Sequence, residues 1–231
     1  MPAMPAMRIT VFGPHPDDQE LGMGGTIARL AALGHAVTLV DMTNGEPTPM
    51  GSPEIRAREG AAAATILGVK RVQLGLTNRE LVNDLSARAV VAGAIRALQP
   101  HIIFAPHPID AHPDHVAACA VIEAGRFAAK YTKCELPGEA WHAPHLFHYY
   151  AIHLRSVPQP SFIADTTGYA QAKRRAILAY ESQFVANVKN AKVPQWIDAA
   201  GVYFASRIGT ESAEPFYSRE CIALDFADLK F

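Results

Sequence analysis

The chain has 231 residues, of which 49% are hydrophobic and 19% are charged. This length predicts a domain with a sizeable core, and the composition is typical of an ordinary globular protein. The 21 basic and 22 acidic residues give a net charge of -1. A near-neutral balance without basic runs argues against a nucleic acid as the main partner. No apolar run approaches the roughly 18 residues of a membrane span, so no membrane partner is expected.

Three cysteines, Cys119, Cys134 and Cys221, are scattered along the chain. They form no CxxC pair, so neither a disulfide framework nor a cysteine zinc site is expected. Cytoplasm is the default compartment for such a chain. Residues 1–7 lack the basic and apolar regions of a secretory signal. We expect them to form a frayed tail at the start of a single domain that spans residues 1–231.

Strands and helices alternate through the first half of the chain. Short apolar, β-branched runs predict buried strands, and apolar residues at helical spacing predict the helices between them. The predicted strands are residues 8–13, 35–41, 70–74 and 101–105. The predicted helices are residues 19–33, 53–67, 84–99 and 115–130. This alternation is typical of βαβ units with parallel strands.

The pattern is looser after residue 106. Loops are predicted over residues 106–114 and 133–143, strands over 146–152 and 161–165, helices over 170–182 and 194–208, and a last strand within 216–226. The predicted fold class is therefore α/β. We expect a Rossmann-like, mostly parallel sheet flanked by helices on both faces, with a less regular C-terminal third.

A cluster of polar side chains follows the first predicted strand. His15, Asp17 and Asp18 belong to the run His-Pro-Asp-Asp, at the junction with the first helix. In open α/β sheets, ligands bind in the crevice at the carboxyl ends of the strands. The start of a helix also favours anionic side chains. This junction is therefore a candidate site.

A second cluster follows the fourth predicted strand. His112, Asp114 and His115 belong to the run His-Pro-Asp-His. The ends of strands one and four lie on the same edge of a parallel sheet, so the two clusters can converge in one crevice. Two imidazoles and one carboxylate with open positions suit a catalytic Zn²⁺, or another divalent ion such as Fe²⁺ or Mn²⁺. A further carboxylate beside the ion could act as general base.

Each cluster by itself also has a simpler interpretation. A histidine in a loop is usually solvated or part of the core, and Asp-Asp at a helix start is often only a cap. Two clusters of histidine and aspartate at equivalent strand ends favour the metal site, because binding sites gather at this edge of the sheet.

Paired motifs in this order resemble a known family. The run His15-Pro-Asp-Asp-Gln-Glu20, Arg56 within residues 54–59, and the run from His112 to His115 are similar to the LmbE-like, or PIG-L, zinc-dependent N-acetylglucosamine deacetylases. The resemblance extends over most of the chain. It includes Leu67-Gly68 and the stretch over residues 180–184, which are similar to the bacillithiol-type branch that acts on GlcNAc-malate.

The resemblance implies a function for each matched residue. His15, Asp18 and His115 match the zinc ligands. Asp17 matches the general base, His112 the residue that stabilises the oxyanion, Asp114 the carboxylate that orients that histidine, and Arg56 a substrate-binding arginine. The implied partner is a small N-acetylated amino sugar, and the implied assembly is a homo-oligomer, with a hexamer as one candidate.

One position departs from part of the family. Relatives of the mycothiol-type branch carry a tyrosine two residues before the His-Pro-Asp-His run, and here that position is Asp110. This favours the bacillithiol-like or a general sugar branch. We expect the loops over residues 43–52 and 133–143 to shape the sugar pocket. GlcNAc-malate, free GlcNAc, chitobiose-type sugars and other N-acyl sugars all remain candidate substrates.

Three glycines, Gly22, Gly24 and Gly25, suggest a dinucleotide-binding loop as an alternative. Their spacing is not G-x-G-x-x-G and they follow the acidic cluster, so close packing of helix on sheet is favoured. The alternative function is accordingly a non-catalytic sugar- or nucleotide-binding Rossmann-like module. Asp17 discriminates between the two functions, since a pure binder needs no free carboxylate beside a complete ligand set.

Several other polar residues receive a structural interpretation. Asp41 and Glu20 are expected to be structural or to support the ligands. For His142, His145, His148 and His153, a packed strand is favoured over contact with a ligand.

Overall fold

A seven-stranded sheet organises the chain. The computed structural model describes residues 6–153 and 157–223. The strands are β1 (Arg8–Gly13), β2 (Ala36–Thr43), β3 (Lys70–Leu76), β4 (Ile102–Pro106), β5 (His145–Tyr149), β6 (Phe162–Asp165) and β7 (Ala213–Tyr217). Their order in the sheet is β3-β2-β1-β4-β5-β7-β6.

Helices connect most of these strands. They are α1 (Asp18–Ala32), α2 (Pro53–Leu67), α3 (Leu85–Leu98), α4 (Pro113–Ala129), α5 (Ala170–Leu178), α6 (Glu181–Phe184) and α7 (Val193–Ser206), with a 3-10 turn at Val188–Asn190. Several of these helices begin where the sequence provides a cap. Ser52 accepts a hydrogen bond from the N–H of Ile55, and Pro53 takes the first helical position of α2. None of the described helices is long and apolar enough to cross a bilayer.

The first five strands are parallel, and β1 lies at the centre of their order. It pairs with β2 on one side, where Arg8 is opposite Ala36, and with β4 on the other, where Ile9 is opposite Ile102. The order of strands therefore reverses between β1 and β4. In doubly wound sheets this reversal opens a crevice at the carboxyl ends of the two strands. The predicted fold class, a mostly parallel α/β sheet, is confirmed.

Helices cover both faces of the sheet, and each face has its own core. Val11 and Leu39 face a core formed with α1, α2 and α5. Phe12 and Val40, their neighbours along the same strands, face a second core formed with α3 and α4. This alternation follows from the two-residue repeat of a strand. It explains why the central strands are apolar on both faces rather than alternating.

The C-terminal third differs from its predicted elements. The last strand, β7, covers Ala213–Tyr217 rather than residues within 216–226, and residues 224–226 lie outside the described ranges. It runs antiparallel to both β5 and β6. The strand predicted over residues 146–152 ends at Tyr149. The prediction of one domain over residues 1–231 stays a prediction, because the described ranges omit both ends.

The helix predicted over residues 170–182 is two helices. Tyr180 has φ -83° and ψ 66°, which is not helical, and α6 starts after it. Glu59 of α2 explains the restart, because its carboxylate accepts hydrogen bonds from both the backbone N–H and the hydroxyl of Ser182, at 2.7 and 2.8 Å. A tertiary contact from a distant helix thus divides a run that is helical by composition.

Helix α1 is kinked at Met23, where φ is -147° and ψ is 28°. Glu214 of β7 accepts hydrogen bonds from the N–H groups of Gly25 and Thr26, at 2.9 and 2.7 Å, and so caps the second half of the helix. A side chain at Gly22 would place its Cβ 2.3 Å from the ring of Tyr149. The glycines therefore permit close packing of the helix on the sheet. This is the interpretation that the sequence analysis favoured over a dinucleotide-binding loop.

Candidate metal centre and active site

The two clusters of histidine and aspartate meet at the crevice between β1 and β4. His15 follows β1, and His112 is the N-cap of α4. The ring centroid of His15 lies 4.9 Å from that of His112 and 5.5 Å from that of His115. Nε2 of His15 lies 3.1 Å from Oδ2 of Asp114, although these residues are 99 positions apart. The convergence expected from the parallel sheet is therefore present.

One group of three side chains has the arrangement of a metal-ligand set. The candidate ligand atoms of His15, Asp18 and His115 all lie within 4.8 Å of one another. Oδ2 of Asp18 is 3.1 Å from Nδ1 of His15, and Oδ1 is 3.3 Å from Nε2 of His115. Two nitrogen donors and a carboxylate suit Zn²⁺, Fe²⁺ or Mn²⁺.

The environment of His115 shows that a cation fits this group. Its Nδ1 lies 2.9 Å from Oδ2 of Asp110, whose side chain is buried, and can donate its proton there. Its Nε2 is buried and, within the described residues, has no hydrogen-bond partner. Asp18 favours positive charge beside this nitrogen, so Nε2 carries a proton or faces a metal ion there. A divalent ion would replace that proton and accept the lone pair of a ring whose Nδ1 still donates to Asp110. The residues present thus fit a divalent ion.

Electrostatics of the cluster also favour positive charge. Burial opposes protonation of His115, but Asp18 and Asp110 outweigh it and raise its pKa to about 10. Burial likewise opposes protonation of His15, and hydrogen bonds to Asp114 and Asp18 raise its pKa to about 9. Burial would raise the pKa of Asp18, but the charge of His115 holds it well below its usual range. Positive charge is therefore stabilised where an ion would bind.

Asp17 stands beside the ligand group in an unusual backbone conformation. Its φ is 109°, in the region that favours glycine, which for another residue costs about 1–3 kcal/mol. Arg56 donates hydrogen bonds to its Oδ2, at 3.0 Å, and to the carbonyl of Pro16. Burial raises the pKa of Asp17 to about 6, against the opposing charge of Arg56. A carboxylate with a pKa near neutrality can act as a general base.

His112 is oriented by a backbone contact. The N–H of Asp114 donates to its Nδ1 at 3.2 Å. A neutral ring whose Nδ1 accepts carries its proton on Nε2. Burial and the charges of His115 and His15 lower the pKa of His112 to about 4, which favours the neutral ring. The ring also lines the cleft.

The side chain of Asp114 contacts different residues from the one expected. The resemblance implies that this carboxylate orients His112, but its Oδ2 accepts from Nε2 of His15 at 3.1 Å and from the N–H of Arg79 at 2.7 Å. The reason is local: His112 caps α4 and takes the backbone N–H two residues later, so the carboxylate is directed across the crevice. Asp114 therefore holds His112 through its main chain in this conformation.

Arg56 is buried at 2% exposure. Its guanidinium lies 5.2 Å from the ring centroid of Tyr180. Among the described residues, its Nε and Nη1 have no hydrogen-bond partner. Nη2 holds the guanidinium beside Asp17, and the two remaining donors can serve a ligand.

A cavity of about 230 Å³ lies over the cluster. Sequence reasoning identified His15, Asp17, Asp18, Arg56 and His112 among its lining residues. Two further polar lining residues lie in stretches that the sequence singled out: Thr48 in the loop over residues 43–52 and Gln183 in the stretch over residues 180–184. His153 also lines the cavity, although a packed strand was favoured for it. The polar lining residues that sequence reasoning missed are Asn78, Arg79 and Asn190. A cleft with many hydrogen-bonding side chains suits a polyhydroxylated ligand.

The loops contribute unequally to this cavity. Gly45, Pro47 and Thr48 line it, as expected for the loop over residues 43–52. The expectation that the loop over residues 133–143 shapes the same pocket is wrong. Carbonyls of that loop, at Leu136 and Gly138, instead accept hydrogen bonds from Arg96 of α3. That contact fixes the loop near the end of α3, away from the cleft.

Asp110 is the most informative residue that the sequence interpretation left without a function. Besides holding His115, its Oδ1 accepts from the N–H of His112 at 2.8 Å. Its position two residues before the His-Pro-Asp-His run is the signal that could have identified it. Arg79 gave no comparable signal, because its contact with Asp114 comes from the backbone of a distant loop.

The remaining polar residues mostly have structural partners. Glu20 and Asp41 both pair with Arg71, at 2.6 and 2.7 Å, away from the ligand group. His148 is buried on β5 and pairs with Glu123 at 3.1 Å, beside a separate cavity of about 540 Å³. His153 is different from the other histidines of its stretch, because it lines the cleft.

Comparison of the sequence with known proteins identifies relatives with related substrates. Residues 10–124 match the PIG-L family, described as GlcNAc-PI de-N-acetylase. A diacetylchitobiose deacetylase of Thermococcus kodakarensis is 29% identical over 225 residues, which cover 90% of this chain and 81% of that protein. A 1D-myo-inositol 2-acetamido-2-deoxy-alpha-D-glucopyranoside deacetylase of Nakamurella multipartita is 32% identical over 212 residues, which cover 73% of this chain and 68% of that protein.

The relatives also include a member of the bacillithiol-type branch. A probable N-acetyl-alpha-D-glucosaminyl L-malate deacetylase 2 of Bacillus anthracis is 28% identical over 204 residues, which cover 80% of this chain and 84% of that protein. Among solved structures, the conserved protein TT1542 from Thermus thermophilus is 35% identical with a TM-score of 0.90, and the match covers 97% of this chain and 100% of that one. The chain therefore belongs to the PIG-L family, as the paired HPDD and HPDH motifs predicted.

Proposed function

We propose that this protein is a metal-dependent hydrolase that removes the acetyl group from an N-acetylglucosamine-type sugar. The observation that carries the proposal is the meeting of a two-histidine, one-carboxylate ligand group with a separate carboxylate, Asp17, in one polar cleft. Deacetylases of three related sugars among the relatives support the reaction class.

The proposed ligands of the ion are His15, Asp18 and His115. A divalent ion held there would polarise the acetamide carbonyl and increase the acidity of a nearby water. Zn²⁺ is the expected ion, and Fe²⁺ or Mn²⁺ suits the same donors. Asp110 would keep the ring of His115 in the tautomer that presents Nε2.

The other residues of the cleft supply the acid–base chemistry. Asp17 accepts a proton from the attacking water, whose oxygen bonds to the acetamide carbon. His112 lines the cleft, and its Nε2–H donates to the carbonyl oxygen as negative charge develops there. The C–N bond then breaks, the amine nitrogen takes the proton that Asp17 accepted, and acetic acid leaves and loses its own proton to solvent as acetate. Arg56 binds sugar hydroxyls with its unpartnered nitrogens.

The second candidate is a sugar- or nucleotide-binding module without catalysis. It accounts for the fold and the polar cleft. It does not account for Asp17, which keeps a glycine-like backbone conformation and a buried arginine partner beside a complete ligand group. Among substrates, we retain the GlcNAc-malate of the bacillithiol-type branch together with chitobiose-type sugars.

The proposal is tested by release of free amine from a panel of N-acetylated sugars. The panel contains GlcNAc, diacetylchitobiose, GlcNAc-malate and GlcNAc-inositol. Each is assayed before chelation, after chelation, and after Zn²⁺ is added back. We expect release from at least one sugar, lost on chelation and restored by the ion. Binding of ion and sugar without release from any of them would favour the binding module.

A further inference from the structure

A second group of metal-binding residue types lies outside the catalytic cleft. The candidate ligand atoms of Cys119, Glu123 and His148 all lie within 4.8 Å of one another. Cys119 and Glu123 are four residues apart on α4, so their side chains share one face of that helix. His148 comes from β5. The residues that line the cavity beside this group are different from those that line the catalytic cleft.

His148 is fully buried and has a ring nitrogen without a partner. Its Nε2 lies 3.1 Å from Oε1 of Glu123. Its Nδ1 is buried and makes no hydrogen bond to any part of the chain that the structure describes. Buried polar atoms in native proteins are nearly always satisfied, so this nitrogen indicates that an ion or a water binds at the ring.

The donor set of this group selects among ions. A thiol, an imidazole and a carboxylate are all ligands of Zn²⁺ in proteins, whereas Mg²⁺ and Ca²⁺ prefer oxygen ligands alone. Burial and the charge of Glu123 raise the pKa of Cys119 to about 12, so the thiol keeps its proton near neutral pH. An ion that binds Sγ must displace this proton to solvent, which favours a strongly thiophilic ion.

Arg219 lies at the edge of the group and leaves access to it. Its Nε is 3.0 Å from Oε1 of Glu123, and its side chain is 52% exposed. An exposed guanidinium can turn into solvent when an ion brings its own positive charge to the carboxylate. The adjoining cavity of about 540 Å³ is lined by Glu123, His148 and Arg219 and has room for a water that completes the coordination.

We infer that Cys119, Glu123 and His148 form a second site, separate from the catalytic group, for Zn²⁺ or another thiophilic divalent ion. An ion bound there connects β5 to α4, which carries His115 one turn before Cys119. It stabilises the folded chain, because an ion that binds only the native state raises the free energy of unfolding. The inference does not rest on the proposed reaction, since occupancy of this site requires no turnover.

Co²⁺ is the probe that separates the two sites. A thiolate ligand gives Co²⁺ a charge-transfer band in the near ultraviolet, and the catalytic group contains no sulfur. The full chain is stripped with a chelator and titrated with Co²⁺ under reducing conditions, and the band and the bound ion are measured together. The variants are Cys119→Ala, Glu123→Gln and, to remove a proposed catalytic ligand, His15→Ala. Cys134→Ala and Cys221→Ala are the matched controls, since both thiols are exposed.

We expect the wild type to bind a second Co²⁺ per chain and to show the thiolate band. Cys119→Ala should lose both, while His15→Ala and the two controls keep the band. Glu123→Gln should weaken this binding by at least about tenfold, since even a carboxylate that only supports a ligating histidine contributes that much. Zn²⁺ should abolish the band by displacing Co²⁺ and should raise the Tm of the wild type more than that of Cys119→Ala.

Three results would overturn the second site. Co²⁺ bound by the wild type without a thiolate band would leave a water as the partner of His148. A band that survives in Cys119→Ala, or that disappears in Cys134→Ala or Cys221→Ala, would assign it to an exposed thiol. If circular dichroism shows that Cys119→Ala does not fold, Glu123→Gln decides, and unchanged affinity rejects the site.

Failure of this site and failure of the proposed function are distinguishable. A thiolate band that depends on Cys119, in a chain that releases no amine from any N-acetylated sugar, would keep the second site and reject the deacetylase. Release of amine that requires the ion, in a chain without the band, would reject the second site alone.

Discussion

At the scale of single residues, the site depends on contacts that orient rings and carboxylates. The side chain of Asp110 is fully buried, and its two oxygens accept from His115 and from the backbone of His112. One side chain therefore connects a proposed ligand with the proposed oxyanion residue. Replacing a carboxylate that accepts a hydrogen bond from a metal-binding histidine typically weakens metal affinity by about 10–100-fold.

The first prediction concerns Asp110. Replacement Asp110→Asn should weaken metal affinity by about 10–100-fold, because the amide no longer favours a proton on Nδ1 of His115. The measurement is competition for the ion with a coloured chelator. Asp198→Asn is the control, since Asp198 is an exposed aspartate of α7 paired with Arg174. Equal affinities in the two variants would contradict the predicted function of Asp110.

The second prediction concerns Asp17. Replacement Asp17→Asn should lower kcat by about 10²–10⁴-fold, because the amide cannot accept the proton of the attacking water. Metal content, measured by mass spectrometry of the eluted ion, should be unchanged, since Asp17 lies outside the ligand group. Asparagine tolerates the positive φ of this position. Turnover equal to that of the wild type would remove Asp17 from the mechanism.

At the scale of elements, the kinked helix α1 determines how the first cluster enters the crevice. The second half of the helix is held by Glu214, whose carboxylate also pairs with Lys173 of α5 at 2.6 Å. The first half lies close to β5, because Gly22 has no side chain to separate it from Tyr149. The hydroxyl of Tyr149 in turn donates to the carbonyl of Phe12 at 3.0 Å, at the end of β1. Packing among α1, β5 and β1 thus fixes the position of the segment that carries His15.

The third prediction compares two glycines. Gly22→Ala should lower the free energy of unfolding by about 1–3 kcal/mol, since its Cβ would overlap the ring of Tyr149. Gly93→Ala, in the interior of α3, should raise it by about 0.5–1 kcal/mol, because its Cβ would have ordinary contact, 3.5 Å from Pro137. Urea unfolding measures both. A Gly22→Ala variant at least as stable as the wild type would contradict the close packing described for α1.

At the scale of the whole molecule, apolar side chains are exposed on the C-terminal third. Val185, Val188, Trp196, Val202 and Tyr203 are each between 57% and 81% exposed. They belong to α7 and to the segment just before it. Large apolar side chains exposed close together along the chain are a feature of segments that make protein–protein contacts. They agree with the expected homo-oligomer, which stays a prediction, as does the cytoplasmic location.

The fourth prediction is therefore a multimeric mass. Light scattering should give a multiple of the chain mass of 24.9 kDa, with a hexamer as the state that the family resemblance suggests. The double variant Trp196→Ser and Tyr203→Ser should lower that mass. Leu85→Ser is the control, because Leu85 is 80% exposed on α3, which packs on the other face of the sheet. A monomeric wild type would contradict the prediction.

Sequence by itself determined the parallel half of the fold and the content of the site. The apolar, β-branched strands and the capped helices between them are local patterns, and parallel connection places every strand end at one edge. That edge brings the two clusters of histidine and aspartate together, so their convergence followed from pattern and topology. The matched family motifs then selected His15, Asp18 and His115 as the expected ligands and added the expected function of the other residues.

Tertiary structure alone decided the contacts between distant segments. The N–H of Arg79 reaches Asp114 across 35 positions, and Glu59 restarts a helix 123 positions later. The carboxylate of Asp114 contacts His15 rather than the neighbouring His112, and the loop over residues 133–143 packs near Arg96 instead of at the cleft. Local sequence predicts none of these, because each depends on where separate elements pack and on which buried polar groups then need partners.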